Sequence, residues 1–385
     1  MRPRHLLHVT YLLNFFIALH TFSVVYVNSS VLENIVSARG VGIIYALASL
    51  AAIVALIYTP RLLRDVGDVR ASLIFVCAEV IVAGLFVITL NTWFIIPLFV
   101  LQTIITRLLW VDLDIFLETA STQNTTGSIR GIALTVASVA LVLSPLVVGF
   151  LLGSGTEYGR VYLFSLCALL PAVVLLTLSF KHFKDPRYTH FHFRNTVKRL
   201  FARLALRRIV YIDFTLRFFY AWMVIYMPLY LHIYQGIAWG KIGIIFTVML
   251  IPFAVLEWPL GRLADKRFGE KEMLVGGLCV TALATAVLPF ITTPSVVVWA
   301  LALLATRIGA STIEVMSETY FFKHIQPKEA DFDSAFRMVE PTAYVIAPLF
   351  SSLLLLFLPL PLLFLILGGI VATAVPVALS LVDTE

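Results

Sequence analysis

The chain is built from apolar runs of about twenty residues, the length a helix needs to cross a hydrocarbon core of ~30 Å. Sixty per cent of its 385 residues are hydrophobic and 13% are charged, where soluble domains carry roughly 25% charge. The runs are too continuous to alternate as barrel strands, and a backbone in lipid must satisfy its own hydrogen bonds, which leaves helices. The expected fold class is an all-α membrane protein with twelve transmembrane helices in two pseudo-symmetric six-helix bundles.

The predicted spans are Leu6 to Val27, Val41 to Tyr58, Ala71 to Leu90, Trp93 to Phe116, Ile132 to Leu152 and Val161 to Phe180. After a basic stretch come Val210 to Tyr234, Ile242 to Leu260, Met273 to Phe290, Val296 to Tyr320, Met338 to Leu358 and Leu362 to Leu381. The first follows Met-Arg-Pro-Arg-His without a small-residue cleavage site and exceeds a signal-peptide core, so it reads as a retained span. Loops alternate between basic (Arg61 to Arg70, Lys181 to Arg208, Arg262 to Lys271) and nearly uncharged (Asn91-Thr92, Thr292 to Pro294, Pro359 to Pro361). That alternation places both termini in the cytoplasm, in a plasma or inner membrane. The net charge of +6 then faces anionic lipid and does not imply a nucleic-acid partner. Cys77, Cys167 and Cys279 fall within spans at neither metal-ligand nor disulfide spacing, and read as packing residues.

The two halves repeat at offsets of 200 to 203 residues. Thr106-Arg107, Asp114 and Glu118-Thr119 are answered by Thr306-Arg307, Glu314 and Glu318-Thr319. Asn14-Phe15-Phe16 stands opposite Arg217-Phe218-Phe219, and Gly42 to Tyr45 opposite Gly243 to Phe246. Such parallel repeats predict an N-terminal bundle over 1–180, a cytoplasmic linker over 181–208 and a C-terminal bundle over 209–385. The linker holds nine basic residues against the single acid Asp185. Asn195 is placed to cap a helix with Val197, Leu200, Phe201 and Leu204 on one face, lying on membrane lipids. His182, His190 and His192 match none of the strong zinc spacings, so no metal is expected.

At roughly 100° per residue, positions 107, 114 and 118 fall within ~40° of one another, as do 307, 314 and 318. Charges at membrane depth cost roughly 2.5 to 3.5 kcal/mol apiece on insertion scales, so matched stripes point to a pathway or gate. Arg107, Arg307 and Arg217, with Asn14 and Tyr220 beside them, form the candidate substrate-binding set. Arginine keeps its proton, so these groups need either carboxylate partners such as Asp213, Glu257 or Glu340, or an anionic ligand. The residues leave both readings open. Asp114 with Glu118, and Glu314 with Glu318, are like charges one turn apart, an arrangement that favours holding a proton. Asp114, Glu314, Glu340 and Glu257 are therefore the candidate proton-coupling groups. Glu118 with Arg130, and Glu318 with Arg337, sit at the inner edge, where ion pairs would act as a cytoplasmic gate or contact solute. Asp112 points away from the stripe and reads as a local polar group.

Two six-span halves, a basic linker, and Gly261-Arg262-Leu263-Ala264-Asp265-Lys266 together resemble the major facilitator superfamily, whose loop signature reads G-x-L-A-D-[RK]-x-G-[RK]. The first-half copy departs from it, with Pro60 for the first glycine and Arg64 where the acid belongs. The resemblance implies alternating access, a monomer, and a latching role for Gly261 and Asp265 on the cytoplasmic side. The family's antiporter signature is only partly kept in Ala140, Ser144-Pro145 and Val148-Gly149, which weakens a drug-antiporter assignment.

Enzyme motifs do not compete. Gly236 to Lys241 has too few residues between its glycines for a phosphate loop, and no H-E-x-x-H or G-x-S-x-G occurs. Asn28-Ser29-Ser30 and Asn124-Thr125-Thr126 match glycosylation sequons by coincidence. The expected function is therefore proton-coupled transport of a small polar anionic solute, without an enzymatic cofactor. Efflux of amphipathic compounds or lipids, and a non-transporting sensor or scaffold, are the alternatives.

Overall fold

A computed structural model describes residues 3–89, 92–119, 126–180, 183, 193–256, 259–260, 269–325 and 330–382. Among these, every regular element is a helix. In chain order they are α1 (Pro3–Val25), α2 (Asn28–Glu33), α3 (Ala38–Val66), α4 (Asp68–Thr89), α5 (Ile95–Thr119), α6 (Thr126–Leu152) and α7 (Gly159–Ser179). Then come α8 (Phe193–Ala202), α9 (Leu204–Leu229), α10 (Trp239–Val255), α11 (Gly269–Val287), α12 (Val296–Lys323), α13 (Ala330–Arg337), α14 (Val339–Leu354), α15 (Leu360–Ala372) and α16 (Ala374–Leu379).

Ten described helical stretches are long and apolar enough to cross a membrane, not the twelve expected. Two predicted spans account for the difference. α10 has 17 residues and α14 has 16, so each is only ~25 Å long at 1.5 Å per residue. Elsewhere the helices outrun the predicted spans: α3 continues through Pro60 to Val66 and stops only at Gly67. Gly67 adopts φ 89, which its missing Cβ permits, and its N–H caps the Leu63 carbonyl at 2.8 Å. Hydroxyl groups inside the spans bond back to their own helix, as in Thr10 to the Leu6 carbonyl (2.9 Å) and Ser144 to Ala140 (2.7 Å), which satisfies those donors within the span.

The chain divides into two compact units, Met1–Thr189 with Ala238–Gly243, and His190–Ile237 with Ile244–Glu385. In the first, α1 packs against α6 and α7, α4 against α5 and α7, and α3 against α5. The Gly240 N–H donates to the Gly153 carbonyl at 2.8 Å inside this unit. In the second, α9 packs against α12 and α14, and α11 against α12 and α15. α9 is the most deeply enclosed of the described spans. It passes Pro228, which has no N–H to give, and ends in a wider turn over Tyr230–Tyr234 where the Gln235 N–H reaches the Tyr230 carbonyl at 3.0 Å.

The linker helix differs from its expected form. Asn195 lies inside α8, which begins at Phe193, and Leu204 already belongs to α9. Leu200 is buried while Phe201 is exposed, and the guanidinium groups of Arg199 and Arg203 sit 5.0 and 5.2 Å from the Phe332 ring on α13. Cation–π contacts with the protein's own ring thus engage two of the charges expected to face lipid. Cys77 and Cys167 are exposed instead of packed, because they occupy outward faces of α4 and α7. The first sequon's Asn28 is buried, its amide occupied by Gln102 and Tyr162. Asn124 lies outside the described residues.

At Gly309 α12 lies against the backbone of α11: a Cβ there would lie 2.6 Å from the Gly277 carbonyl and 2.8 Å from the Thr281 nitrogen. Gly309→Val should therefore lower the melting temperature of the purified protein, by the ~1–3 kcal/mol typical of overpacking. Gly276→Ala, with open space at its Cβ, should leave it unchanged or raise it in the same thermal-shift assay.

Candidate functional site

In the second unit two helical stripes meet. Asp213, Arg217 and Tyr220 share one face of α9, and Arg307, Glu314 and Glu318 share one face of α12, each by the 3.6-residue period. Arg217 Nη1 donates to Glu314 Oε1 at 2.7 Å, its Nε lies 3.4 Å from Asp213 Oδ1, and its Nη2 lies 3.6 Å from Glu318 Oε1. The Tyr220 hydroxyl donates to the second oxygen of Glu314 at 2.9 Å. The charge of Glu340 on α14 also acts on Arg217 and Asp213, and that of Arg337 on Glu318. A guanidinium with several donors is thus spread over carboxylates drawn from two helices.

Arg307 is treated differently. It is 2% exposed, and its guanidinium carbon lies 5.3 Å from the ring centres of both Phe219 and Tyr220. Among the described residues no carboxylate lies within 4.0 Å of it, and its Nε has no hydrogen-bond partner. Ring faces offer a cation only about 1–2 kcal/mol, far short of a hydrogen-bonded carboxylate's contribution in a dry site. Tyr220 touches both cations, its ring 5.9 Å from the Arg217 guanidinium carbon. The result is one arginine set among three carboxylates and one with an unsatisfied Nε between two rings, joined by a single tyrosine.

A family model described as Major Facilitator Superfamily matches residues 10–330 and again 232–385. The chain belongs to the major facilitator superfamily. Its fold is that of solved facilitator structures. One is the nucleoside transporter NupG, at TM-score 0.76 and 12% identity over 99% of both chains; a mutant form of the same transporter also scores 0.76, at 13% identity over 97% of this chain and 99% of that one. Another is a bacterial homologue of the human lysosomal transporter Spinster, captured inward-facing and unoccupied, at TM-score 0.68 and 13% identity over 98% of this chain and 93% of that one. No curated protein matches the chain in sequence. Family and neighbours point to a transporter rather than an enzyme.

Within this facilitator the expected residues are distributed unevenly. Arg217, Arg307, Tyr220, Glu314, Glu318 and Glu340 come together in the second unit. Asp213, expected as a partner of Arg307, is given to Arg217, so the like charges of Glu314 and Glu318 are bridged by a cation instead of facing each other bare. In the first unit Arg107 is half-buried, Asp114 and Glu118 are exposed on α5, and Arg130 is half-buried on α6. Asn14 is buried and donates to the Ala133 carbonyl at 2.7 Å, a bond that ties α1 to α6. Glu257, Gly261 and Asp265 lie outside the described residues.

Sequence reasoning missed three features. Asp112 accepts from Ser72 at 2.5 Å, Lys323 pairs with the buried Glu270, and His20 meets Glu79 in the first unit. Asp112, already set apart as a local polar group, and His20 and Glu79 each stand within an apolar run, which was the usable signal, but their partners were not named.

The unequal pairing predicts unequal stability effects. Arg217→Met strands buried Asp213 with Glu314 and Glu318 and should cost ~3–5 kcal/mol, read as a large fall in melting temperature that Arg217→Lys partly restores. Arg307→Met breaks no described ion pair and should change melting by no more than the ~2 kcal/mol of its ring contacts.

Proposed function

We propose that the chain is a secondary transporter of a small polar anionic solute, driven by protons and working by alternating access of two six-helix bundles. The bundles are 1–180 and 209–385, joined by the linker 181–208, with twelve spans and both termini in the cytoplasm of a plasma or inner membrane. The observation that carries the reading is Arg307: a cation that cannot lose its charge, buried in an apolar span, with an unsatisfied Nε and no described carboxylate beside it. A carboxylate or phosphate on the solute supplies the missing counter-charge, and the planar fork of arginine suits either. Phe219 and Tyr220 line the same spot, so an anion carrying an apolar or planar body gains more than inorganic phosphate does.

The other residues take supporting roles in this reading. Arg217 with Glu314 and Glu318 is a charge relay within reach of the solute, and Arg107, Asn14 and Tyr220 complete the binding set. Asp114, Glu314, Glu340 and Glu257 are carboxylates that could exchange a proton, and Glu118 with Arg130, Glu318 with Arg337, and Asp265 after Gly261 are gate elements.

A thermal-shift panel of succinate, glucose 6-phosphate, uridine, uridine monophosphate, glutamate and a cationic dye tests the reading. Nucleosides are included because one structural neighbour is a nucleoside transporter. At least one anion should raise the melting temperature at ligand concentrations well above its Kd, by about 2–3 kcal/mol of linkage, and the rise should vanish in Arg307→Met. Stabilisation by the dye alone, or an anion response that survives Arg307→Met, overturns it.

A further inference from the structure

The first unit holds a second set of buried ionisable groups. His20 Nε2 lies 3.0 Å from Glu79 Oε1, and both side chains are 0% exposed. His20 falls near the middle of the span Leu6–Glu33, and Glu79 near the middle of Asp68–Thr89. Apolar side chains would hold α1 and α4 together without the desolvation that an ionisable pair brings to mid-membrane.

The third member is Ser165 on α7. Its Oγ lies 2.6 Å from His20 Nδ1 and 3.4 Å from the His20 carbonyl, while its own carbonyl lies 3.3 Å from the same Nδ1. The serine lets the ring hold two protonation states without losing a bond. When Nδ1 is bare, the hydroxyl donates to it. When Nδ1 carries a proton, it donates to the serine, and the hydroxyl hydrogen turns to the His20 carbonyl. Glu79 offers another place for a proton, because its Oε2 is buried and has no hydrogen-bond partner. An ionised carboxylate accepts at both oxygens, and this one is served at Oε1 alone.

We propose that His20, Glu79 and Ser165 form a site for one exchangeable proton, and that the proton driving transport is held there; the second clause rests on the transport reading above. The unloaded site has a neutral imidazole whose Nε2–H donates to the Glu79 carboxylate, for a net charge of one negative. One added proton, either on Nδ1 to give an imidazolium–carboxylate pair or on Oε2 to give a neutral carboxyl, brings the net charge to zero. Release to water reverses the step, and no electrons move.

Among the described residues the side-chain bonds of the pair are those to each other and to Ser165. The charged and titratable groups described on the neighbouring elements are His8 and Tyr11 on α1, Glu33 on α2, Arg39, Tyr45, Tyr58, Arg61, Arg64 and Asp65 on α3, and Asp68, Arg70 and Cys77 on α4. Arg107, Asp112, Asp114 and Glu118 on α5, Arg130 on α6, and Arg160, Tyr162 and Cys167 on α7 complete the set. None of these bonds to His20 or Glu79 among the described residues. Asp68, the nearest carboxylate along α4, is eleven residues away, ~16 Å. One turn from Ser165, the Tyr162 hydroxyl donates to Asn28 Oδ1 at 2.6 Å and Asn28 Nδ2 to Gln102 at 3.3 Å, extending the polar line toward the end of α1.

The test is infrared pH-difference spectroscopy of the full chain in phosphatidylcholine–phosphatidylglycerol liposomes, scanned between about pH 5 and about pH 8. Carboxyl and imidazole bands should titrate together in the wild type and disappear from the difference spectrum in Glu79→Gln. In Ser165→Ala the midpoint should move by about one unit, a change that a purely structural staple does not produce. A Glu79→Gln spectrum identical to wild type overturns the proposal; where that variant does not fold, an unmoved midpoint in Ser165→Ala does so. Titration of the pair without any anion response in the thermal-shift panel overturns the transport reading and leaves the proton site standing. An anion response without titration overturns the proton site alone.

Discussion

A guanidinium among apolar helices keeps its charge whatever surrounds it, and that constraint organises the second unit. Arg217 is answered by Asp213 on its own helix and by Glu314 and Glu318 on α12, so the register of α9 against α12 is fixed by charge as well as by packing. A slip of one residue would rotate the stripe by roughly 100° and pull these ionised groups apart. The same register brings Tyr220 beside Arg307, and with it the contrast between a satisfied cation and one bracketed by rings.

Much of this was legible because helical period and charge cost are local properties of sequence. The stripe of 307, 314 and 318 was readable from spacing alone, and the repeat in the first half from its offset. Partner choice was not readable. Asp213 and Arg217 stand one turn apart on α9, but whether Glu314 serves Arg217 or Arg307 depends on how two helices 97 residues apart in sequence are rotated. His20 and Glu79 are 59 residues apart and meet for the same reason, through packing that no motif records. Helix ends were also poorly legible: hydropathy sees apolar length, whereas α3 ends where Gly67 takes a positive φ and α9 changes its winding after Pro228.

The described contacts at membrane depth differ between the two units. The described ion pair deep in the first is His20 with Glu79, whose members can both lose their charge, and the uncharged amides Asn14, Asn28 and Gln102 tie its other helices. In the second, the cations are arginines with permanent charge.

One further contact bears on how the second unit can move. The Trp222 indole N–H donates to the Ala347 carbonyl at 2.7 Å, and one turn along both helices the Ser351 hydroxyl donates to the Tyr226 oxygen at 2.7 Å. Two buried rungs at equal spacing weld α9 to α14, with Trp222 and Phe350 stacked between them. Any shift of α9 at Phe219 or Tyr220 that keeps both rungs must therefore carry Val339–Leu354 with it, while the rungs end before the wider winding that follows Pro228.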